Sequence, residues 1–204
     1  MVIKGWHAWV GTFNGVALIT VAALPLAVLA GWALARRRSV TGTTPAWAWR
    51  KSLAEVGIVY GTVPWVWMIM LPGDRAGTVP ARVSLVPLRD LLTILAGHPE
   101  TATVQVAGNL LVFAVLGFLA PLRFTALASV PRILALAAGC SVLVETAQHV
   151  LRLDRVSSVD DALLNTAGAG LAALASRRWW RATARASSDR SRCAPTTYLP
   201  PNQD

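Results

Sequence analysis

Acidic and amide side chains recur at helical spacing inside or beside the apolar stretches between residues 109 and 168. These side chains belong to Asn109, Glu145, Gln148, Asp160, Asp161 and Asn165. Such groups are costly at membrane depth, and where they persist they usually face a bundle interior or a water-filled cavity. The pattern therefore predicts one shared polar site, which either binds a ligand or carries out acid–base chemistry.

The carboxylates are the candidates for catalysis. A buried carboxyl group can act as an acid or a base, and Glu145 would have that role in an enzyme. Asp160 or Asp161 would then position a substrate, and the guanidinium group of Arg155 would hold an anionic group. The sequence has no Ser or Cys nucleophile beside a base, no HExxH motif and no Gly-rich phosphate loop. Whether the protein is an enzyme therefore stays open at this point.

Metal and cofactor sites are not indicated by the spacing of the histidines. Glu145 and His149 are separated as metal ligands on a helix often are, but His7 and His98 lie in distant parts of the sequence. We expect neither a metal site nor a bound cofactor.

Each polar residue also has a structural interpretation. Ser158 begins a capping-box pattern, in which Asp161 would reach back to the Ser158 backbone N–H. Either aspartate of the pair also suits the positive end of a helix dipole. Asn109, Gln148 and Asn165 would form hydrogen bonds between neighbouring helices. Small residues that favour close helix contact follow at Gly168, Gly170 and Ala172.

Composition fixes the class of protein. Hydrophobic residues make up 54% of the chain, charged residues make up 14%, and the mean hydropathy is +0.51, which is too apolar for an ordinary soluble domain. The net charge of +9 lies mostly in loops and the C-terminal tail. Membrane orientation explains it better than nucleic-acid binding does, so we expect membrane lipids and no nucleic acid as partners.

The apolar stretches predict an all-α fold, a polytopic membrane helical bundle with about five transmembrane helices. Their approximate bounds are 10–35, 53–71, 102–122, 133–151 and 160–178. The last has an apolar core of only some 15 residues, whereas a spanning helix normally needs about 17 or more.

Basic residues predict the orientation. With these spans, 13 of the 19 Lys and Arg residues fall on one side of the membrane. The N-terminus should therefore lie outside, the C-terminus in the cytoplasm, and the chain in the cytoplasmic membrane. We divide the chain into a first helix and basic cytoplasmic loop (1–52), a membrane domain (53–180) and a disordered basic cytoplasmic tail (181–204).

The order and spacing of the polar residues resemble those of the VanZ-like membrane protein family, which is named for an accessory determinant of teicoplanin resistance. The likeness covers Tyr60 to Ala175. It consists of Asn109-x3-Phe113-x3-Gly117-Phe118, then Ser141-x3-Glu145-x2-Gln148, then Arg155-x4-Asp160-Asp161-x3-Asn165-x2-Gly168. The stretch from Val83 to Leu88 is similar to the family's outer-loop motif.

Departures from the family pattern occur at Val115 and Ser158. The family often has proline where Val115 stands, which would produce a helix kink. It often has an acidic residue where Ser158 stands, so this chain has one charge fewer beside the predicted site.

The resemblance implies a bacterial protein linked to lowered susceptibility to lipid-tailed glycopeptides. It leaves three classes of function open. The first is a binding or shielding module for a glycopeptide or a lipid-linked envelope precursor, with the loop from Pro72 to Thr101 as a lid. The second is an intramembrane enzyme acting on a lipid-linked envelope substrate, and the third is a small transporter, which a homo-oligomer would complete. The predicted ligand-binding residues are Asn109, Glu145, Gln148, Arg155, Asp160, Asp161 and Asn165.

Overall fold

The predicted all-α class is confirmed by the computed structural model, which describes residues 12–182 except 74, 79, 81 and 155. The helices are α1 (Phe13–Val40), α2 (Pro45–Ile69), α3 (Arg89–Leu95), α4 (Pro99–Val112), α5 (Ala114–Arg123), α6 (Val130–Val150) and α7 (Val159–Ala175). Strands β1 (Arg82–Ser84) and β2 (Val156–Ser158) form a short parallel pair, and Thr125–Leu127 is a 3-10 turn. Arg155, one of the predicted site residues, and the predicted tail from 183 onward lie outside the described residues.

Four helical segments of the described chain are long and apolar enough to cross a membrane. They are α1, α2, α6 and the stretch Pro99–Arg123, which α4 and α5 share. The fifth predicted segment forms α7, which has 17 residues and a length of about 26 Å at 1.5 Å per residue. That is shorter than the hydrocarbon core of about 30 Å, but residues 177–182 are also helical.

Helix α7 lies at the centre of the bundle and packs against α4, α5 and α6. Its small residues allow this, because a Cβ atom at Gly168 would overlap the carbonyl oxygen of Leu110 in α4. A Cβ atom at Gly117 in α5 would likewise overlap the carbonyl oxygen of Ala169. The small residues therefore bring helix backbones into direct contact, as the sequence predicted for Gly168.

The first helix lies at the edge of the bundle and packs on α2. The hydroxyl group of Tyr60 in α2 donates a hydrogen bond to the carbonyl oxygen of Thr20 at 2.7 Å. Helix α2 begins at Pro45, earlier than the predicted start at Leu53. Proline suits the first turn of a helix because its missing N–H is not needed there.

The third predicted segment is divided at Phe113, where the backbone leaves the helical conformation with φ −112° and ψ 11°. This break lies two residues before Val115, the position at which the family often has proline. Val115 also fits closely against α2, because a Cβ atom added at Gly61 would lie 2.6 Å from its Cγ1 atom. Val115 was expected to loosen the kink that proline produces in the family, yet the helix is interrupted at Phe113, two residues earlier.

An ion cluster ties the helices together at the end of the bundle where α1 and α5 finish. The Glu55 carboxylate of α2 accepts hydrogen bonds from Arg38 at 2.6 Å and from Arg123. Arg38 also donates to the hydroxyl group of Ser52 at 2.8 Å. Arg36, near the same end of α1, stacks on the ring of Trp32. This basic, aromatic end is the one that the positive-inside rule predicts to face the cytoplasm.

Labelling of single cysteines tests this orientation. In a chain with Cys140 and Cys193 replaced by Ala, we expect Thr93→Cys in α3 to react with a membrane-impermeant maleimide in intact cells. Thr41→Cys, which follows α1 at the other end, should react only after the membrane is permeabilised. The opposite pattern would mean that the N-terminus is cytoplasmic.

Close backbone contact at α7 can be tested with Gly168→Ala. We expect this change to lower the free energy of unfolding by about 1–3 kcal/mol or more, because the new methyl group meets backbone atoms that cannot turn aside. Gly139→Ala in α6 is the matched control, since nothing lies within 4 Å of a Cβ atom there. Thermal unfolding in detergent should separate the two variants, and equal stability would contradict the packing described.

Candidate functional site

The predicted polar residues gather at the end of the bundle opposite the Glu55 ion cluster, which we call the polar end. It contains the C-terminal ends of α2 and α6, the starts of α4 and α7, and the connection between α2 and α4, which carries β1 and α3. Neighbouring residues at the start of α7 contact different elements there.

Asp160 attaches the connection to α7. The residue is 3% exposed, and its side-chain oxygens accept hydrogen bonds from the backbone N–H groups of Leu88 at 2.5 Å and Leu91 at 2.9 Å. Leu88 is the N-cap of α3 and has a left-handed backbone with φ 67°, a conformation that a leucine rarely adopts. The Asp160 carboxylate therefore supplies the acceptors for the start of a helix 69 to 72 residues away in the sequence.

Ser158 is the N-cap of α7, as predicted, and its hydroxyl oxygen accepts the N–H of Asp160 at 3.2 Å. The backbone N–H of Ser158 donates to Oε2 of Glu145 at 3.1 Å. In the predicted capping box this N–H would be donated to Asp161. Glu145 in α6 thus completes the cap of α7 from a neighbouring helix.

Asp90 adds a further attachment between α3 and α7. The hydroxyl group of Ser158 donates to its carboxylate at 2.7 Å. Hydrogen bonds from Ser158 and from Ser84 lower the pKa of Asp90 below its ordinary value, because they stabilise the ionised carboxylate. The connection is thereby bound to the start of α7 through Asp90 and Asp160.

Asp161 bonds to α4. The amide nitrogen of Asn109 in α4 donates to its Oδ1 atom at 2.5 Å. Both residues line a cleft of about 830 Å³, which we call the wide cleft. The cleft is lined by Phe13, Trp65, Met68, Ile69, Glu100, Thr101, Val104, Gln105, Ala107, Gly108, Asn109, Leu111 and Asp161.

Glu145 lines a different cavity of about 260 Å³, which we call the narrow pocket. His149, one helical turn further along α6, also lines it, and its Nδ1 atom is buried without a hydrogen-bond partner. The remaining walls are mostly apolar side chains and the residues of β2. The narrow pocket is formed mainly by α6 and the wide cleft mainly by α2 and α4, and α7 contributes residues to both.

Asn165 and Gln148 contribute to helix packing. The buried Asn165 donates from its amide nitrogen to the hydroxyl group of Ser141 at 2.9 Å, which joins α7 to α6. Gln148 donates to the carbonyl oxygen of Ile69 at 2.8 Å, near the point where α2 ends. These are the hydrogen bonds between helices that the structural interpretation expected.

The structure thus brings the predicted residues to one end of the bundle but distributes them among different environments. Asn109 and Asp161 lie together in the wide cleft, and Glu145 lies in the narrow pocket. The ligand-binding role of these residues stays a prediction. Sequence reasoning missed Glu100 and Gln105, although Gln105 precedes Asn109 by one helical turn. Among the described residues, no group of His, Cys, Asp and Glu is arranged to hold a metal ion.

Comparison with known proteins identifies the class. The sequence model of the VanZ/LLP1 family matches residues 58–180, which include about the C-terminal half of α2 and all the helices that follow it through α7. No curated protein and no solved structure matches the chain. The chain therefore belongs to the VanZ/LLP1 family, and its long apolar helices make it a VanZ-like membrane protein.

The contact between Asn109 and Asp161 can be tested by exchanging the two groups. Asn109→Asp should lower stability by about 1–3 kcal/mol, because it replaces a hydrogen bond to a carboxylate with two facing carboxylates. The exchanged pair Asn109→Asp with Asp161→Asn should recover most of this loss, as measured by thermal unfolding in detergent. Gln105→Glu, at an exposed position of α4, is the control for added charge. If the exchanged pair is no more stable than Asn109→Asp, the contact is not what stabilises this end.

Proposed function

We propose that this chain is a bacterial cytoplasmic-membrane protein whose polar end faces outward and binds an amphiphile in the wide cleft. Through that binding it lowers susceptibility to lipoglycopeptides of the teicoplanin type. It does so either by engaging the antibiotic or by handling the envelope lipid that the antibiotic depends on. Family membership supports the link to these antibiotics, and the orientation rests on the distribution of basic residues.

The observation that carries the proposal is the mixed character of the wide cleft. One part of its lining is apolar and includes Phe13, Trp65 and Met68. Another part presents carboxylate and amide groups, among them Gln105, Asn109 and Asp161. Ligand pockets commonly combine an apolar wall with a few polar groups, and their volumes run from about 300 to 1,000 Å³. A cleft of about 830 Å³ with this lining fits a molecule that has a hydrocarbon tail and a polar head group.

The position of the cleft between helices suits a ligand that arrives from the bilayer. Its walls come from α2, α4, the first residue of α1 and Asp161 of α7. Helix α1 has many exposed apolar side chains, such as Leu18 and Val21. An amphiphile in the outer leaflet would keep its tail among such side chains while its head group reaches Asp161. The loop from Pro72 to Thr101 would cover the bound head group, as a lid attached through Asp160.

A second candidate function, an enzyme acting on a lipid-linked envelope substrate, is favoured by the narrow pocket. Glu145 and His149 line that pocket together, and both groups can exchange protons. In this alternative Glu145 is the acid or base, and the reaction occurs away from the wide cleft. The two candidates therefore depend on different carboxylates.

Antibiotic susceptibility tests the leading proposal. A sensitive Gram-positive host would carry no insert, the wild-type chain, Asp161→Asn or Glu145→Gln, at matched membrane abundance. We expect the wild-type chain to raise the inhibitory concentration of teicoplanin but not that of vancomycin. Asp161→Asn should remove most of this protection, because the cleft loses a carboxylate.

Glu145→Gln separates the two candidates. Like Asp161→Asn, this variant replaces a carboxylate with an amide at the polar end, but Glu145 lines the narrow pocket. Binding in the wide cleft predicts that protection is retained, whereas the enzyme predicts that it is lost. If abundant wild-type protein gives no protection at all, the link to lipoglycopeptides is wrong.

A further inference from the structure

We infer that α3 lies in the membrane interface at the polar end, with a row of leucine side chains inserted among the lipid acyl chains of that leaflet. The row consists of Leu88, Leu92 and Leu95, and we call it the leucine stripe. The partner of this surface is thus the bilayer itself. The inference goes beyond the proposed function and does not depend on what the wide cleft binds.

Spacing and exposure define the leucine stripe. Leu88 precedes Leu92 by four positions, and Leu95 follows it by three, so the three side chains lie on one face of α3. They are 54%, 64% and 57% exposed, respectively. The chain just before α3 adds exposed apolar side chains at Leu85 and Val86. Single exposed leucines are ordinary, but a row of them marks a surface that contacts a partner or a membrane.

The other faces of α3 differ from the leucine stripe. On the face toward the bundle, the Asp90 carboxylate accepts a hydrogen bond from the hydroxyl group of Ser158, and Leu91 is partly buried. Arg89 and Thr93, four positions apart, form an exposed polar face. A basic residue on the polar face and leucines on the apolar face are typical of helices that lie in the plane of a membrane interface.

The direction of the leucine stripe is fixed by contacts with α7. The backbone of Leu88 is left-handed, with φ 67°, and its N–H group donates to the buried Asp160 carboxylate at 2.5 Å. A strained conformation of this kind persists only where the surrounding structure holds it. The N–H group of Leu91 donates to the same carboxylate at 2.9 Å. The leucines are therefore presented by a segment that is bound to the bundle.

The apolar surface continues from α3 onto a membrane-spanning segment. Leu95 lines a groove of about 420 Å³ between α3 and α4. The wall of this groove that belongs to α4 includes Ala102, Val106 and Leu110. Helix α4 is part of the stretch Pro99–Arg123, which is long and apolar enough to cross a membrane. Acyl chains that cover α4 can therefore occupy the groove and reach the leucine stripe.

The size of the surface favours the bilayer over a second copy of the chain. Helix α3 has seven residues, so it is only about 10 Å long. A stable interface between proteins buries about 800 Å² on each partner, and association also costs the freedom of two separate molecules. Three leucines on so short a helix offer too little area for that. Inserting them into a bilayer that already holds the protein brings no second molecule together.

Fluorescent labels at neighbouring positions of α3 test the inference. In a chain with Cys140 and Cys193 replaced by Ala, an environment-sensitive dye would be attached at Leu92→Cys, Thr93→Cys or Val28→Cys. Val28 is 62% exposed in the spanning helix α1 and is the lipid-immersed reference. Nanodiscs with one copy per disc would leave lipid as the available cover. The quenchers would be iodide in the water and a lipid with a nitroxide near its head group.

We expect the nitroxide lipid to quench the label at position 92 at least about twofold more strongly than the label at position 93. The two side chains point about 100° apart, and an interfacial helix lies only about 5–10 Å deep, so they differ in their contact with lipid. Iodide should show the opposite order, and the reference label of Val28→Cys should resist it. Thermal unfolding of each labelled protein, matched to that of the unlabelled chain, shows that the bundle is formed.

Other patterns of quenching overturn the inference. Equal quenching by iodide at positions 92 and 93, with no excess from the nitroxide lipid at 92, means that the leucine stripe faces water. Protection of the label at 92 from both quenchers means that the stripe packs against the protein. Exposure to iodide in single-copy discs, with protection in vesicles crowded with the protein, means that a second copy covers the stripe.

Discussion

Close contact between helix backbones at α7 is the constraint on which the rest of the structure depends. Gly168 brings α7 against the carbonyl group of Leu110 in α4, and Gly117 brings α5 against the carbonyl group of Ala169 in α7, at distances that no side chain would permit. In an apolar solvent this packing has to stabilise the bundle, because burying apolar surface gains little there. Once α7 is held in this way, its N-terminal end is fixed at the polar end of the molecule.

The position of that N-terminal end explains why so many polar groups gather around it. The first N–H groups of a helix have no partner within the helix, and in a membrane protein water cannot always supply one. Ser158 and Glu145 supply acceptors for the start of α7, and Asp160 supplies them for the start of α3. Many of these polar side chains therefore accept hydrogen bonds from backbone N–H groups. Of the carboxylates of Glu145, Asp160 and Asp161, the one that lines the wide cleft is that of Asp161.

Composition and periodicity predicted the class of fold, the long apolar helices and the N-cap at Ser158, because each of these depends on local sequence. They did not predict the break at Phe113, where neither proline nor glycine marks the change. They also could not tell which of Asp160 and Asp161 bonds to α3 and which lines the wide cleft. Consecutive residues of a helix point about 100° apart, so the partner of each depends on which elements pack beside α7. That arrangement comes from long-range contacts, as between Leu88 and Asp160, that no local pattern contains.

The adjacency of Asp160 and Asp161 has a thermodynamic consequence. Asp160 accepts hydrogen bonds from the start of α3, and Asp161 accepts one from Asn109 in the wide cleft. Both aspartates lie in the same turn of α7. A ligand that shifts this turn changes the free energy with which the α3 segment is held. By linkage, anything that engages α3 from outside then changes the affinity of the cleft by the same factor. The α3 segment and a ligand in the wide cleft would therefore share one coupling free energy.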